Sequence, residues 1–173
     1  MDIKELRALQ APLKEQYQQN PETARIAARA EGLIEGDDIV CHVPTFAGIA
    51  AAGLHSAAGG DGSQACSADM LMEALVACAG VTLKSVATAM RIPLRRAKVI
   101  AEGIWDARGT LAVDRTVSVG LTNVTLNFEI HSSADAKQIE KLVQLTERFC
   151  VIYQTLVNPP KLTSRYEIMG END

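Results

Sequence analysis

The segment Ser67–Met90 constrains the fold more than any other part of the chain. It consists mainly of strong helix formers, and Pro93 ends it because the residue before a proline avoids helical geometry. Ser67 is predicted to cap its start, with Asp69 near the positive end of the helix dipole. The helix is apolar around most of its circumference. We therefore expect it in the middle of the molecule rather than on its surface.

The composition is that of a soluble globular domain. The 173 residues are 47% hydrophobic and 22% charged, and their net charge is −4. The absence of a positive excess argues against nucleic acid or an anionic membrane as a partner. The longest apolar stretch, residues 74–83, is too short for the roughly 20 residues that cross a membrane, and charges follow directly after Met1. The sequence predicts a cytoplasmic protein with no membrane partner.

The elements around the central helix indicate an α+β fold in one unit. A surface helix is predicted for residues 2–19 and ends at Asn20-Pro21. Residues 121–131 alternate apolar and polar side chains, as in a half-buried strand. A second long helix is predicted for residues 134–156, with an apolar stripe. Further strands are predicted at residues 23–35, 39–44, 97–107 (continued by 111–113) and 161–169, and a loop at 59–62.

Four cysteines, Cys41, Cys66, Cys78 and Cys150, are too far apart for a C-x-x-C motif. This spacing excludes a zinc ribbon or a thioredoxin-type motif, and a reducing cytosol disfavours a structural disulfide. A cysteine with a function would therefore act through reactive sulfur. The alternative is that all four are small buried hydrophobic residues.

Two of the cysteines lie on the two predicted core helices. Cys78 shares a helix face with Leu71, Leu75 and Thr82, so apolar surroundings are expected to raise its pKa. Thr82 can donate a hydroxyl, but activation of Cys78 needs a partner from another element. Cys150 lies near the end of the second helix. If the helices face each other, the two thiols can come within disulfide distance and form a redox pair.

Other candidate sites match no known pattern. The spacing of Cys41, His42, His55 and Cys66 fits no zinc motif. The loop Gly59-Gly60-Asp61-Gly62 lacks the Gly-Lys-Ser/Thr that completes a phosphate loop. The sequence thus predicts no metal and no cofactor.

Several motifs resemble the OsmC/Ohr family of osmotically inducible and organic hydroperoxide resistance proteins. The resemblance covers residues 23–169 and implies an OsmC-like domain at 23–173 after an N-terminal helical extension at 1–22. It also implies antiparallel sheets packed around two central helices in an intertwined homodimer. The motifs are the glycine loop, Ser67-Ala68-Asp69-Met70-Leu71, Glu73-Ala74-Leu75-Val76-Ala77-Cys78, Thr82-Leu83, Arg91-Ile92-Pro93-Leu94 and Thr146-Glu147-Arg148-Phe149-Cys150-Val151.

The resemblance implies a thiol-dependent peroxidase that acts on organic hydroperoxides. Cys78 would attack the O–O bond and become a sulfenic acid, and Cys150 would resolve it as a disulfide that an external dithiol reduces. An alternative is a noncatalytic binding module that uses the apolar pocket for a small ligand or partner. A third possibility is a purely structural dimer with buried cysteines.

The chain departs from the family pattern in the groups that activate the first cysteine. The hydroperoxide-resistance branch uses an arginine and a glutamate. Asp69 lies close to the place of that acid, but it is nine residues before Cys78, about 13 Å along an unbroken helix. It would help only if the helix start bends or if it acts across a dimer; otherwise it interacts with the helix dipole. Arg25 and Arg29 match no family motif and are expected to be surface charges.

Overall fold

The computed structural model describes residues 1–170 of the chain. Its regular elements comprise five helices, five strands and two short 3₁₀ helices among these residues. In chain order they are α1 (Ile3–Gln19), a 3₁₀ helix (Pro21–Ala24), β1 (Val40–Thr45), β2 (Gly48–Gly53), a 3₁₀ helix (Ser56–Ala58), β3 (Ala65–Cys66), α2 (Ser67–Met90), β4 (Leu94–Ile104), α3 (Ala107–Thr110), β5 (Asn123–Ser132), α4 (Ala136–Phe149) and α5 (Val151–Val157).

The strands form two separate sheets, which confirms the α+β class. One sheet has the order β1-β2-β3, in which β1 and β2 are antiparallel and the two-residue β3 is parallel to β2. The other is the antiparallel pair β4-β5, which extends from Leu94↔Ser132 to Ile104↔Asn123. In β5 the predicted alternation is confirmed, since Leu126, Phe128 and Ile130 are half-buried and the residues between them are exposed.

Helix α2 has the predicted bounds and provides one face of the core. Its fully buried residues recur every fourth position, at Leu75, Ala79, Leu83 and Ala87. This spacing places them on one stripe of the helix. Leu83 and Ala87 pack with Ile92 and with Leu142 of α4, and half-buried side chains of β4 and β5 cover this cluster.

The opposite face of α2 is open in the single chain. Val81 is 74% exposed there. The sequence predicted α2 in the middle of the molecule, whereas in one copy of the chain one face lies in the core and the other on the surface. By length and composition alone α2 could also cross a membrane, although core helices of soluble proteins pass the same test.

The ends of α2 differ in part from prediction. Cys66, not Ser67, is the N-cap residue, and its side chain makes no capping hydrogen bond. Asp69 lies in the first turn as expected. At the other end Arg91 adopts a left-handed conformation with φ of 60°, and its N–H donates to the carbonyls of Ala87 and Thr88. This turn directs the chain into β4.

Three other predictions are wrong. Residues 23–35 form no strand: the first two belong to the 3₁₀ helix and the rest is extended chain with an isolated bridge between Leu33 and His42. Every side chain of this segment is exposed, so no sheet face covers it. Residues 111–113 form a turn in which Ala112 has φ of 55°. Residues 161–169 form no strand. Strand β2 lies in a Gly- and Ala-rich segment for which the sequence predicted no strand; small residues suit it, since a Cβ at Gly53 would lie 2.8 Å from Cβ of Gln64.

Candidate active site

The helix predicted at residues 134–156 is in fact two helices, and Cys150 is the junction between them. Cys150 has φ of −74° and ψ of 112°, outside helical geometry. Its N–H donates to the Thr146 carbonyl at 2.9 Å, and its carbonyl accepts from the Gln154 N–H at 2.9 Å. Cys150 is therefore both the C-cap of α4 and the N-cap of α5.

Side chains replace the backbone hydrogen bonds that the break removes. In an unbroken helix the Glu147 carbonyl would accept from the Val151 N–H. Here it accepts from Nε2 of Gln154 at 2.9 Å. The Thr146 hydroxyl also donates back to the Leu142 carbonyl at 2.8 Å, a contact that bends helices. The Val151 N–H is consequently available for another acceptor.

The first three N–H groups of α5 all donate to cysteine sulfur. Such groups have no acceptor within their own helix. Those of Val151 and Ile152 donate to the sulfur of Cys78 on α2. That of Tyr153 donates to Sγ of Cys150 at 3.4 Å. The junction therefore brings both predicted redox cysteines to one place.

Two side chains complete the surroundings of Cys78. The thiol of Cys150 and the hydroxyl of Thr82 each form a hydrogen bond to its sulfur. Thr82 is one turn after Cys78 on α2, as the sequence placed it. Cys78 thus receives hydrogen bonds from α2, from α5 and from the residue between α4 and α5.

These contacts shift the pKa values of the two thiols in opposite directions. Burial raises the pKa of Cys78, but the N–H of Ile152, the Cys150 thiol, the N–H of Val151 and the Thr82 hydroxyl outweigh it, so that this pKa lies below its ordinary value. Burial raises the pKa of Cys150. The N–H of Tyr153 lowers it, but the hydrogen bond that the Cys150 thiol donates to Cys78 and the negative charge of the Cys78 thiolate raise it further, so the net shift is upward. A single proton shared by the pair therefore stays on Cys150.

Access to the two sulfurs also differs. Cys150 is fully buried, whereas Cys78 is only half-buried. Both the lowered pKa and the partial exposure favour Cys78 as the nucleophile of the pair. Cys150 is its buried hydrogen-bonding partner, whose pKa is raised.

A cavity of about 600 Å³ begins one turn of α2 before Cys78. Its walls are mainly apolar and come from four elements. They include Leu71 and Leu75 of α2, Leu126 of β5, Glu147 of α4, and Tyr153 and Leu156 of α5. Burial and then the negative charge of Glu147 raise the pKa of Tyr153, so these two polar side chains face each other.

The remaining predicted residues lie away from this junction. Asp69 lines a different cavity, beside Glu73 and Trp105. Because α2 is unbroken, Asp69 stays about 13 Å from Cys78 along the helix axis within one chain. Its supporting role stays a prediction that requires a second copy. Arg25 and Arg29 are exposed and form ion pairs with Glu22 and Glu31.

The four Cys and His residues weighed as a metal site do not assemble. Cys41 and His42 lie on β1, whereas His55 and Cys66 line a cavity with Trp105. Nδ1 of His55 accepts from the Ala57 N–H. Within residues 1–170, no three His, Cys, Asp or Glu side chains are placed to hold a metal ion.

Sequence reasoning identified Thr82 and Cys150 but missed the other groups that lower the pKa of Cys78. These are two backbone N–H groups, those of Val151 and Ile152, which have no signature in residue type. The break between α4 and α5 that frees these N–H groups has no sequence signal either, because residues 136–157 contain neither proline nor glycine. Only Gln154, a side chain able to cap a carbonyl seven residues earlier, hints at it in retrospect.

Comparison with known proteins gives one family match and several similar structures. The family model described as OsmC-like protein matches residues 60–165, more than half of the chain. No curated protein matches the sequence.

The similar solved structures share the fold at low sequence identity. An OsmC-like protein from Mycoplasma pneumoniae is 17% identical with a TM-score of 0.62, over 78% of this chain and 91% of that one. An OsmC-like protein of unknown function from Vibrio cholerae is 14% identical with a TM-score of 0.58, over 75% and 94%. An organic hydroperoxide resistance protein from Legionella pneumophila is 15% identical with a TM-score of 0.52, over 76% and 91%. At these identities the likeness establishes the fold alone.

Proposed function

The chain belongs to the OsmC-like protein family, and from this premise we propose that it is a thiol-dependent peroxidase that reduces organic hydroperoxides. The observation that carries the proposal is the hydrogen-bonded pair of thiols with opposite pKa shifts. In this assignment Cys78 is the peroxidatic cysteine and Cys150 the resolving one. The similar protein from Legionella is named for hydroperoxide resistance, which supports the same chemistry.

The first step is nucleophilic attack by the Cys78 thiolate on the terminal oxygen of the hydroperoxide. The sulfur–oxygen bond forms as the O–O bond breaks, the alkoxide leaves, and it takes up a proton to become the alcohol. The sulfur is oxidised by two electrons to the sulfenic acid. Donors from Val151, Ile152 and Thr82 favour this step because they lower the pKa of Cys78 and so favour the thiolate.

The second step forms a disulfide. The sulfur of Cys150 attacks the sulfenic sulfur, its proton and the sulfenic hydroxyl leave as water, and the S–S bond forms. An external dithiol then reduces this disulfide by two exchange steps, giving both thiols back and becoming a disulfide itself. Cys150 is already in contact with Cys78 in the reduced protein, so resolution needs little movement.

The test is the consumption of cumene hydroperoxide with dihydrolipoamide as the reductant. Wild type is expected to consume the peroxide well above the uncatalysed rate, and Cys78→Ser is expected to fall to that rate. Cys66→Ser, a half-buried cysteine in another cavity, is the matched control and should retain activity. If wild type is no faster than Cys78→Ser, the chain is not a peroxidase of this kind.

A second variant separates the roles of the two cysteines. Cys150→Ser should still reduce one equivalent of peroxide, since Cys78 remains. Without the resolving thiol, the sulfenic acid is exposed to further peroxide and should gain a second oxygen, which mass spectrometry detects as sulfinic acid. Full multiple-turnover activity in Cys150→Ser would exclude a resolving role.

The noncatalytic alternative rests on the apolar cavity beside the cysteines, which also suits a small ligand. A binding module of this kind predicts that Cys78→Ser changes neither the ligand affinity nor any peroxide reaction. The same cumene hydroperoxide assay therefore decides between the two functions.

Assembly as a homodimer is part of the proposal. The exposed face of α2 and apolar side chains near the C-terminus, among them Leu162, Tyr166 and Ile168, support it. Apolar surface of this extent is unusual on a monomer. Because the cycle requires an external dithiol, we place the protein in the cytoplasm, where such reductants are maintained.

A further inference from the structure

The cavity one turn of α2 before Cys78 contains one acidic side chain. Among the described residues that line it, Glu147 and Tyr153 are the titratable ones, and the other walls are leucine, valine and threonine. Glu147 is half-buried on α4 and lies on the side where α5 begins. The cavity therefore offers apolar contact together with one carboxylate.

That carboxylate has no compensating cation. Within residues 1–170 the ion pairs involve other side chains, and Glu147 takes part in none of them. The neighbouring Arg148 is engaged elsewhere, with its guanidinium 5.4 Å from the centre of the Phe149 ring. The charge of Glu147 is instead felt by Tyr153 across the cavity, where it raises the pKa of the phenol.

The charge bears on the occupant of the cavity rather than on the reacting thiol. The groups that set the ionisation of Cys78 are the donors from α5, Cys150 and Thr82. Leu71 and Leu75 line this cavity and lie on the same face of α2 as Cys78, so a hydroperoxide whose O–O group reaches Cys78 can place its tail there, near Glu147 and Tyr153. A second carboxylate on that tail would be brought next to the first, and like charges repel strongly in partly desolvated surroundings.

We propose that Glu147 makes this site selective for hydroperoxides with uncharged apolar tails and excludes those that carry a carboxylate. The inference rests on the proposed function. Glu147 acts on specificity, and Tyr153 offers a neutral hydroxyl that suits an ester, ether or alcohol oxygen on the same tail.

The test compares cumene hydroperoxide with its para-carboxylate analogue, two probes of similar size that differ in charge. Wild type is expected to show a kcat/KM about tenfold higher for the neutral probe. Glu147→Gln should bring the two values to within about twofold by improving KM for the carboxylate. Glu140→Gln, an exposed position on the same helix, is the matched control and should keep the wild-type preference.

A binding measurement keeps this inference separate from the peroxidase proposal. Cumyl alcohol and its para-carboxylate are titrated into reduced wild type and Glu147→Gln by calorimetry. Wild type should bind the neutral alcohol more tightly by about the same tenfold, and the variant should not discriminate. If neither peroxide is reduced but this binding preference holds, the peroxidase proposal fails and the selectivity stands. Equal affinity of wild type for both alcohols, no binding of either, or a preference that survives in Glu147→Gln overturns the selectivity.

Discussion

Cys78 is activated by uncharged donors. Within the described residues, its sulfur receives hydrogen bonds from two backbone N–H groups, a thiol and a hydroxyl, while Arg25 and Arg29 pair with neighbouring glutamates on the surface. Hydrogen bonds to an ionised acceptor are about twice as strong as neutral ones. Several of them can therefore replace the arginine that the sequence comparison with the hydroperoxide-resistance branch led us to look for.

The pH profile of alkylation tests this activation directly. Because the pKa of folded Cys78 lies below its ordinary value, its reaction with iodoacetamide should reach half of its maximal rate below about pH 8.5. Cys150, whose pKa is raised, should react only at higher pH or after unfolding. Peptide mapping assigns the two rates. Since the donors are neutral, the Cys78 midpoint should barely move between low and high salt; a strong salt dependence would instead indicate a cation.

Thr82→Val tests one donor alone. The variant keeps the shape of the side chain but removes the hydroxyl that bonds the Cys78 sulfur. The pKa of Cys78 should rise, and alkylation at pH 7 should slow by roughly threefold to tenfold. Thr88→Val is the control, because the hydroxyl of Thr88 donates to the Lys84 carbonyl on the same helix. Equal rates in Thr82→Val and wild type would show that the hydroxyl does not act on the thiolate.

At the scale of elements, the α4–α5 junction is the feature that the sequence did not predict. Strong helix formers and the stop at Pro93 correctly predicted the bounds of α2, although its N-cap is Cys66 rather than Ser67. Apolar periodicity runs through residues 134–156 without a breaking residue, so it predicts one helix. At the break the side chain of Gln154 takes over the backbone hydrogen bond to the Glu147 carbonyl, and the Thr146 hydroxyl donates back to the Leu142 carbonyl within α4. Helix propensity and hydrophobic spacing do not predict such an exchange, because it depends on where one side chain lies in the folded structure.

Gln154→Leu should damage the site through this exchange. Without Nε2 of Gln154, the Glu147 carbonyl lacks its donor and competes for the Val151 N–H, as in an ordinary helix. Cys78 then loses a hydrogen bond, so its pKa should rise and disulfide formation after peroxide should slow by about twofold to fivefold. Stopped-flow measurement of a single turnover gives this rate. Gln144→Leu, whose amide bonds only the exposed Glu140 side chain, is the control and should match wild type.

At the scale of the whole molecule, the sequence predicted more burial than one copy of the chain provides. The apolar circumference of α2 led us to expect this helix in the middle of the molecule, and the family resemblance implied an intertwined homodimer. The single chain buries one stripe of α2 and leaves Val81 open. Periodicity reports which residues avoid water but not which chain covers them. The two observations agree if a second copy covers the open face.

Val81→Asp tests that assembly without disturbing the core, since Val81 is 74% exposed in the single chain. Wild type should sediment at twice the mass of the chain. The variant should sediment as a monomer with an unchanged helical circular dichroism spectrum, because burying an unpaired carboxylate in an apolar interface is strongly unfavourable. Val113→Asp, similarly exposed but in the turn after α3, is the control and should remain dimeric. If wild type sediments as a monomer, the homodimer proposal is wrong, and Asp69 cannot act on Cys78 from a second copy.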